Sequence, residues 1–80
     1  MISGAHVKAA RAMLGLTTRE LGKKAAVAVS TILTIEGTER VAESHRALGA
    51  IQAALESEGI EFILGVAPGV RLHPKNRRGK

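Results

Sequence analysis

Eighty residues make one small domain and leave no length for a second. Without cysteine the chain has no disulfide, thiolate metal site or cysteine nucleophile, and its one aromatic residue, Phe62, gives no stacking platform for single-stranded nucleic acid. The formal charge of +5 is unevenly placed: residues 71–80 carry five cations (Arg71, Lys75, Arg77, Arg78, Lys80) and no acid, whereas residues 1–70 carry seven of each sign and are formally neutral. A DNA-binding domain ordinarily spreads its cations over the folded surface; here the surplus is a tail.

Ser3 is a good N-cap for a first helix over Ala5–Leu14, with Val7, Ala10 and Leu14 as its apolar stripe and Gly15 as its stop. Thr17-Thr18-Arg19-Glu20 reads as a capping box that opens a second helix, Thr18–Ala25, burying Leu21 and Ala25. Ala26-Val27-Ala28 is the turn into a third helix, Val29–Glu36, closed by Gly37. Each residue turns a helix by about 100 degrees, so Ile32 and Ile35 face inward while Val29 and Leu33 project away from them. A longer fourth helix spans Ala42–Glu58 on Leu48, Ile51 and Leu55, with Ala47 and Ala54 beside them and Gly59 as its C-cap. Ile60–Leu64 has strand composition, Gly65–Gly69 reads as a loop, and Val70–Leu72 as a second strand. The expected domain covers residues 1–72, and residues 73–80 have the composition of a disordered basic tail. The start Met1-Ile2-Ser3-Gly4 does not lead into the apolar run of a signal peptide, and no stretch reaches the ~18 apolar residues of a membrane span. The expectation is a cytoplasmic protein without a membrane partner.

The run Ala9 to Thr17, followed by Glu20-Leu21, Ser30-Thr31-Ile32 and Ile35-Glu36, forms an ordered set of motifs. On these motifs residues 3–64 resemble the Cro/CI-type (XRE-like) helix-turn-helix family. The end of the chain, Gly59-Ile60-Glu61-Phe62 and Gly69-Val70-Arg71-Leu72, is similar to that of short bacterial members. The resemblance implies a mainly α bundle of four to five helices with a short C-terminal strand or hairpin. It also implies an ion pair between Arg11 of the first helix and Glu36 of the third. Three departures stand out. Thr17-Thr18 replaces the family's Ser-Gln, Ala26-Val27-Ala28 replaces Gly-Val-Ser, and Val29, Leu33 and Thr34 replace polar or basic residues on the outer face of the third helix.

Direct readout of bases depends on Arg, Lys, Asn or Gln placed for paired hydrogen bonds. The outward positions Val29, Ser30, Leu33 and Thr34 supply none of these. Burial of a Val or Leu side chain contributes roughly 1.5–3 kcal/mol, so an exposed pair suits a modest protein interface. The leading expectation is therefore a transcription regulator that docks Val29, Ser30, Leu33 and Thr34 onto a transcriptional activator, similar to the QseM-like antiactivators of quorum-sensing-controlled conjugative transfer. In that reading DNA binding is weak or absent, and the protein is a monomer or homodimer. An alternative is a small dimeric DNA-binding repressor that contacts DNA through Thr17, Thr18, Ser30 and Thr34, with Lys75, Arg77 and Arg78 tracking phosphate; another is an antitoxin. A plainer reading has Val29 and Leu33 covered by the C-terminal hairpin or by a second copy of the chain. His6, His45 and His73 lie on separate elements, which gives no metal site; the expectation is no cofactor and no enzymatic activity.

Overall fold

The structure, a computed structural model, describes residues 2–37 and 45–73. Among the described residues four helices precede a two-stranded antiparallel hairpin, the mainly α architecture expected from the sequence. Helix α1 (Gly4–Leu14) begins directly after Ser3, whose hydroxyl accepts the His6 amide at 3.3 Å. At its other end the Gly15 N–H donates to the Ala12 carbonyl and Leu16 N–H to that of Arg11, so two of the last four carbonyls of the helix are satisfied.

Helix α2 (Thr18–Ala25) is opened by the capping box read from the sequence: the Thr17 hydroxyl accepts the Glu20 amide at 3.0 Å and the Thr17 amide donates to the Glu20 carboxylate at 2.8 Å. Helix α3 (Val29–Glu36) follows after three residues. The turn is tight because Val27 N–H closes back onto the Gly22 carbonyl at 3.0 Å. A methyl placed on Gly22 would stand 2.7 Å from the Val27 carbonyl oxygen, so glycine is the residue that lets the turn approach α2.

Helix α4 (His45–Ser57) buries Leu48, Ile51 and Leu55; its expected first turn, residues 42–44, lies outside the described residues. Gly59 follows with a left-handed φ of +101°, and its N–H donates to the Glu56 carbonyl. Strands β1 (Ile60–Ile63) and β2 (Gly69–Leu72) pair with Ile60 opposite Leu72, Glu61 opposite Arg71, Phe62 opposite Val70 and Ile63 opposite Gly69. Gly69 thus belongs to the second strand and Leu64 to the loop, each one residue from the sequence expectation. The ladder also reaches His73, whose N–H donates to the Gly59 carbonyl at 2.8 Å, although composition had placed this residue in the tail.

The core is aliphatic. Ile2, Val7, Ala10, Leu21, Ile32, Ile35, Leu48, Ile51, Leu55 and Ile60 are almost entirely removed from water, with Leu14, Val27, Phe62 and Val70 packed against them. Every helix and the first strand contribute, so no element can leave without uncovering residues of another. Among the described residues no helix is long and apolar enough to cross a membrane.

Candidate functional site

Helix α3 carries one charged residue, Glu36, and the fold consumes it. Arg11 of α1 grips its carboxylate with two hydrogen bonds, Nε to Oε2 at 2.9 Å and Nη2 to Oε1 at 3.0 Å, while Nη1 donates to the Leu16 carbonyl. These bonds to Glu36 raise the Arg11 pKa above its ordinary value against the opposing effect of burial, and the Glu36 charge adds to the rise. The fork geometry fixes the rotation of α3 about its own axis as well as its distance from α1. The ion pair implied by the family resemblance is present.

With Ile32 and Ile35 buried, the opposite side of α3 faces outward. Leu33 is 55% exposed, so the described hairpin does not cover it. Ser30 and Thr34 are also exposed, but Thr34 turns its hydroxyl back and donates to the Ser30 carbonyl at 3.0 Å. What Thr34 offers outward is its methyl group. Val29 differs from expectation. It is half-buried rather than projecting freely, and its Cγ2 lies 3.6 Å from where a Gly22 side chain would begin. The absence of a side chain at Gly22 lets Val29 lean onto α2.

The residues of the DNA-contacting alternative are differently placed. Thr17 is exposed and Thr18 half-buried. A helix N-terminus normally offers free amides to phosphate, yet the Thr17 amide is already held by the Glu20 carboxylate. A phosphate arriving there would meet a negative charge. At α3, Ala28 occupies the N-cap with no side-chain hydrogen bond to the helix. Lys75, Arg77 and Arg78 lie outside the described residues.

The sequence reading passed over two arrangements. The first is the pair Arg19 and Lys23 on α2. Both are exposed, they stand one turn apart, and Arg19 lies one turn before Gly22 on the side that receives Val29. Lys24, by contrast, is paired with Glu58 at 3.2 Å. Among the described residues neither Arg19 nor Lys23 has an acidic partner. The helical period makes the pairing of Arg19 with Lys23 legible, whereas their position next to Gly22 and Val29 depends on how α2 and α3 pack.

The second is His6. It is buried, accepts the Ser3 N–H on Nδ1 at 3.1 Å, and so donates through Nε2 to the Ile63 carbonyl at 3.0 Å. Its ring meets Phe62 edge-on, with centroids 6.0 Å apart. His6 is therefore a structural tie between α1 and the hairpin. Among the described residues no three His, Asp or Glu side chains converge as a metal site would require.

Compared with known proteins, the chain matches no family model. No curated protein matches it either.

Proposed function

We propose that this protein is a transcription regulator of the XRE-like helix-turn-helix type that acts by protein binding, as an antiactivator docking α3 onto a transcriptional activator in the cytoplasm. The observation that carries this reading is the outer face of α3. It presents exposed Leu33, half-exposed Val29 and the methyl side of Thr34, and it bears no free charge. A face of this kind loses little on leaving water and gains through packing, whereas DNA contact rewards cations and amide side chains. The occupied amide at Thr17 weighs in the same direction.

The test is Leu33→Asp, assayed against the transcriptional activators encoded near the gene. Leu33 is about half exposed, so its replacement costs only about 1 kcal/mol of folding stability while placing an unpaired charge in the interface. Binding is expected to disappear with the circular dichroism spectrum unchanged and the melting temperature lowered by about 4–8 °C. A Leu33→Asp variant that binds the activator as the wild type does would show that the docking face lies elsewhere.

The basic end of the chain favours a second reading, a small dimeric DNA-binding repressor. Its four cations within residues 74–80, Lys75, Arg77, Arg78 and Lys80, would add salt-dependent, sequence-independent affinity for phosphate. That reading requires duplex binding that weakens steeply with salt and declines when residues 74–80 are removed. Unchanged affinity on removal would count against it.

A further inference from the structure

We propose that the α3 face is selective for an acidic partner: it takes an amphipathic helix whose apolar stripe packs on Val29 and Leu33 and whose flanking carboxylates meet Arg19 and Lys23. The inference rests on the protein-docking reading and adds the chemistry of the occupant. Three observations lead to it.

The first is an imbalance of charge beside a neutral surface. Where basic residues face the rest of the fold they are neutralised: Arg11 by Glu36, Lys24 by Glu58 and Arg71 by Glu61. Arg19 and Lys23 are exposed on α2, one turn before and one residue after the Gly22 onto which Val29 leans, without such a partner among the described residues, and the one acid on α2, Glu20, is engaged in the helix cap. Lys8 is exposed on α1, and Arg46 of α4 lines the groove beside the α2–α3 turn and Thr31, a third exposed cation near α3. The border of the apolar face toward α2 is consequently cationic.

The second is the form of the surface. A helix face has its backbone amides and carbonyls already paired, so an extended peptide cannot add to it as a strand adds to a sheet edge. Recognition must come from side chains. The α3 helix is about 12 Å long, which fits roughly two turns of a partner helix carrying apolar residues at helical spacing.

The third is the arrangement of the two sets of groups. Leu33 and Val29 lie on α3, while Arg19 and Lys23 stand one turn apart on α2. A partner helix that buries Leu33 with its apolar stripe can bring carboxylates on its flank toward both cations. Charges at such a rim contribute selectivity and association rate more than affinity, and the closely approached apolar residues hold the complex.

The experiment uses the full chain, labelled with nitrogen-15, and three probes. Two are synthetic helical peptides with the same leucine stripe, one flanked by glutamates and the other by lysines. The third is a DNA duplex of the gene's own promoter region. The acidic peptide is expected to shift the amides of Arg19, Lys23 and Val29–Thr34 and to bind about tenfold more tightly than the basic one at low salt. The double variant Arg19→Glu with Lys23→Glu should reverse that order, and Leu33→Asp should remove binding of both peptides. If both peptides bind equally but Leu33→Asp still abolishes binding, charge selection is overturned and the docking face stands. Shifts at α3 with the duplex and not with the peptides would overturn both, assigning the face and its two cations to phosphate. If no probe binds, the acidic-helix inference is overturned, and the activator assay alone judges the docking face.

Discussion

Ala26 holds a left-handed backbone conformation, φ +59° and ψ +45°, at the end of α2. A Cβ in that region crowds the neighbouring carbonyl and costs about 1–2 kcal/mol, which is why glycine usually occupies such a position. Ala26→Gly is accordingly expected to stabilise the protein by roughly 0.5–1 kcal/mol in urea denaturation, part of the relief being offset by the entropy of glycine in the unfolded chain. A loss of stability would show that the turn relaxes in solution. Two residues on, Ala28 caps α3 without a side-chain acceptor. Ala28→Ser should supply one to an amide of the first turn and add about 1 kcal/mol. The two substitutions test different things, a strained torsion and an unmet donor. The small side chains of Ala25, Ala26, Ala28 and Ala47 also leave a shallow groove of about 680 Å³ between this turn and α4. Nothing in the identity of an alanine announces a left-handed torsion, so the strain at Ala26 was not legible in the sequence, although its place in the turn was.

The hairpin is the element whose stability depends most on what surrounds it, since two strands alone are marginal in water. One support comes from His6, and His6→Ala is expected to remove about 1–3 kcal/mol of local stability. Hydrogen exchange should quicken at the amides of β1 and β2 and change little in α2 and α3; uniform quickening would make His6 a support of the whole fold. A second support lies on the outer side, where Glu61 accepts from His73 at 2.7 Å and from Arg71 at 3.2 Å. The bond from His73, and after it the charge of Arg71, hold the Glu61 carboxyl below its ordinary pKa. A carboxylate with a lowered folded-state pKa contributes stability above its unfolded value and loses that contribution as pH falls through the folded one. The Glu61 carboxyl carbon should therefore titrate below the ordinary glutamate range, and His73→Ala should move the midpoint upward. A midpoint unmoved by that substitution would transfer the effect to Arg71. Because the cluster is open to water, added salt should weaken it.

Elements were far more legible than their joints. The capping box at Thr17 and Glu20 and the stop at Gly59 involve residues close in sequence, and local spacing was enough to find them. The 3–4 spacing of Leu48, Ile51 and Leu55 placed α4 on the core. His6 escaped notice because its partner lies 57 residues away and is a backbone carbonyl, which leaves no trace in side-chain spacing. Its capping role escaped too, since a histidine stands where a glutamate or glutamine ordinarily completes the box. At the candidate site, the neutrality of the α3 face was legible from residue identities. That Val29 is shared with α2 was not, because it depends on the missing side chain of Gly22.

At the scale of the whole molecule, the bond between Arg11 and Glu36 ties α3 to α1 and so helps set the angle at which the outer face of α3 is presented. Glu36 is 7% exposed at its side chain. Removing its partner strands a carboxylate, and Arg11→Met is expected to destabilise the protein by about 3 kcal/mol. The paired replacement Arg11→Met with Glu36→Leu should recover much of that loss, as measured by thermal melting. If the single variant melts like the wild type, water reaches Glu36 and the pair contributes orientation alone.

The tie from His6 to Ile63 has a consequence for biogenesis. On the ribosome, α1 emerges well before the strand that receives its histidine, since His6 and Ile63 lie 57 residues apart. A nascent chain halted after α4 would hold the four described helices and still lack the closure at His6. The tie between α1 and the hairpin thus waits for β1, and products truncated before it are expected to be more open to proteases than the chain that carries it.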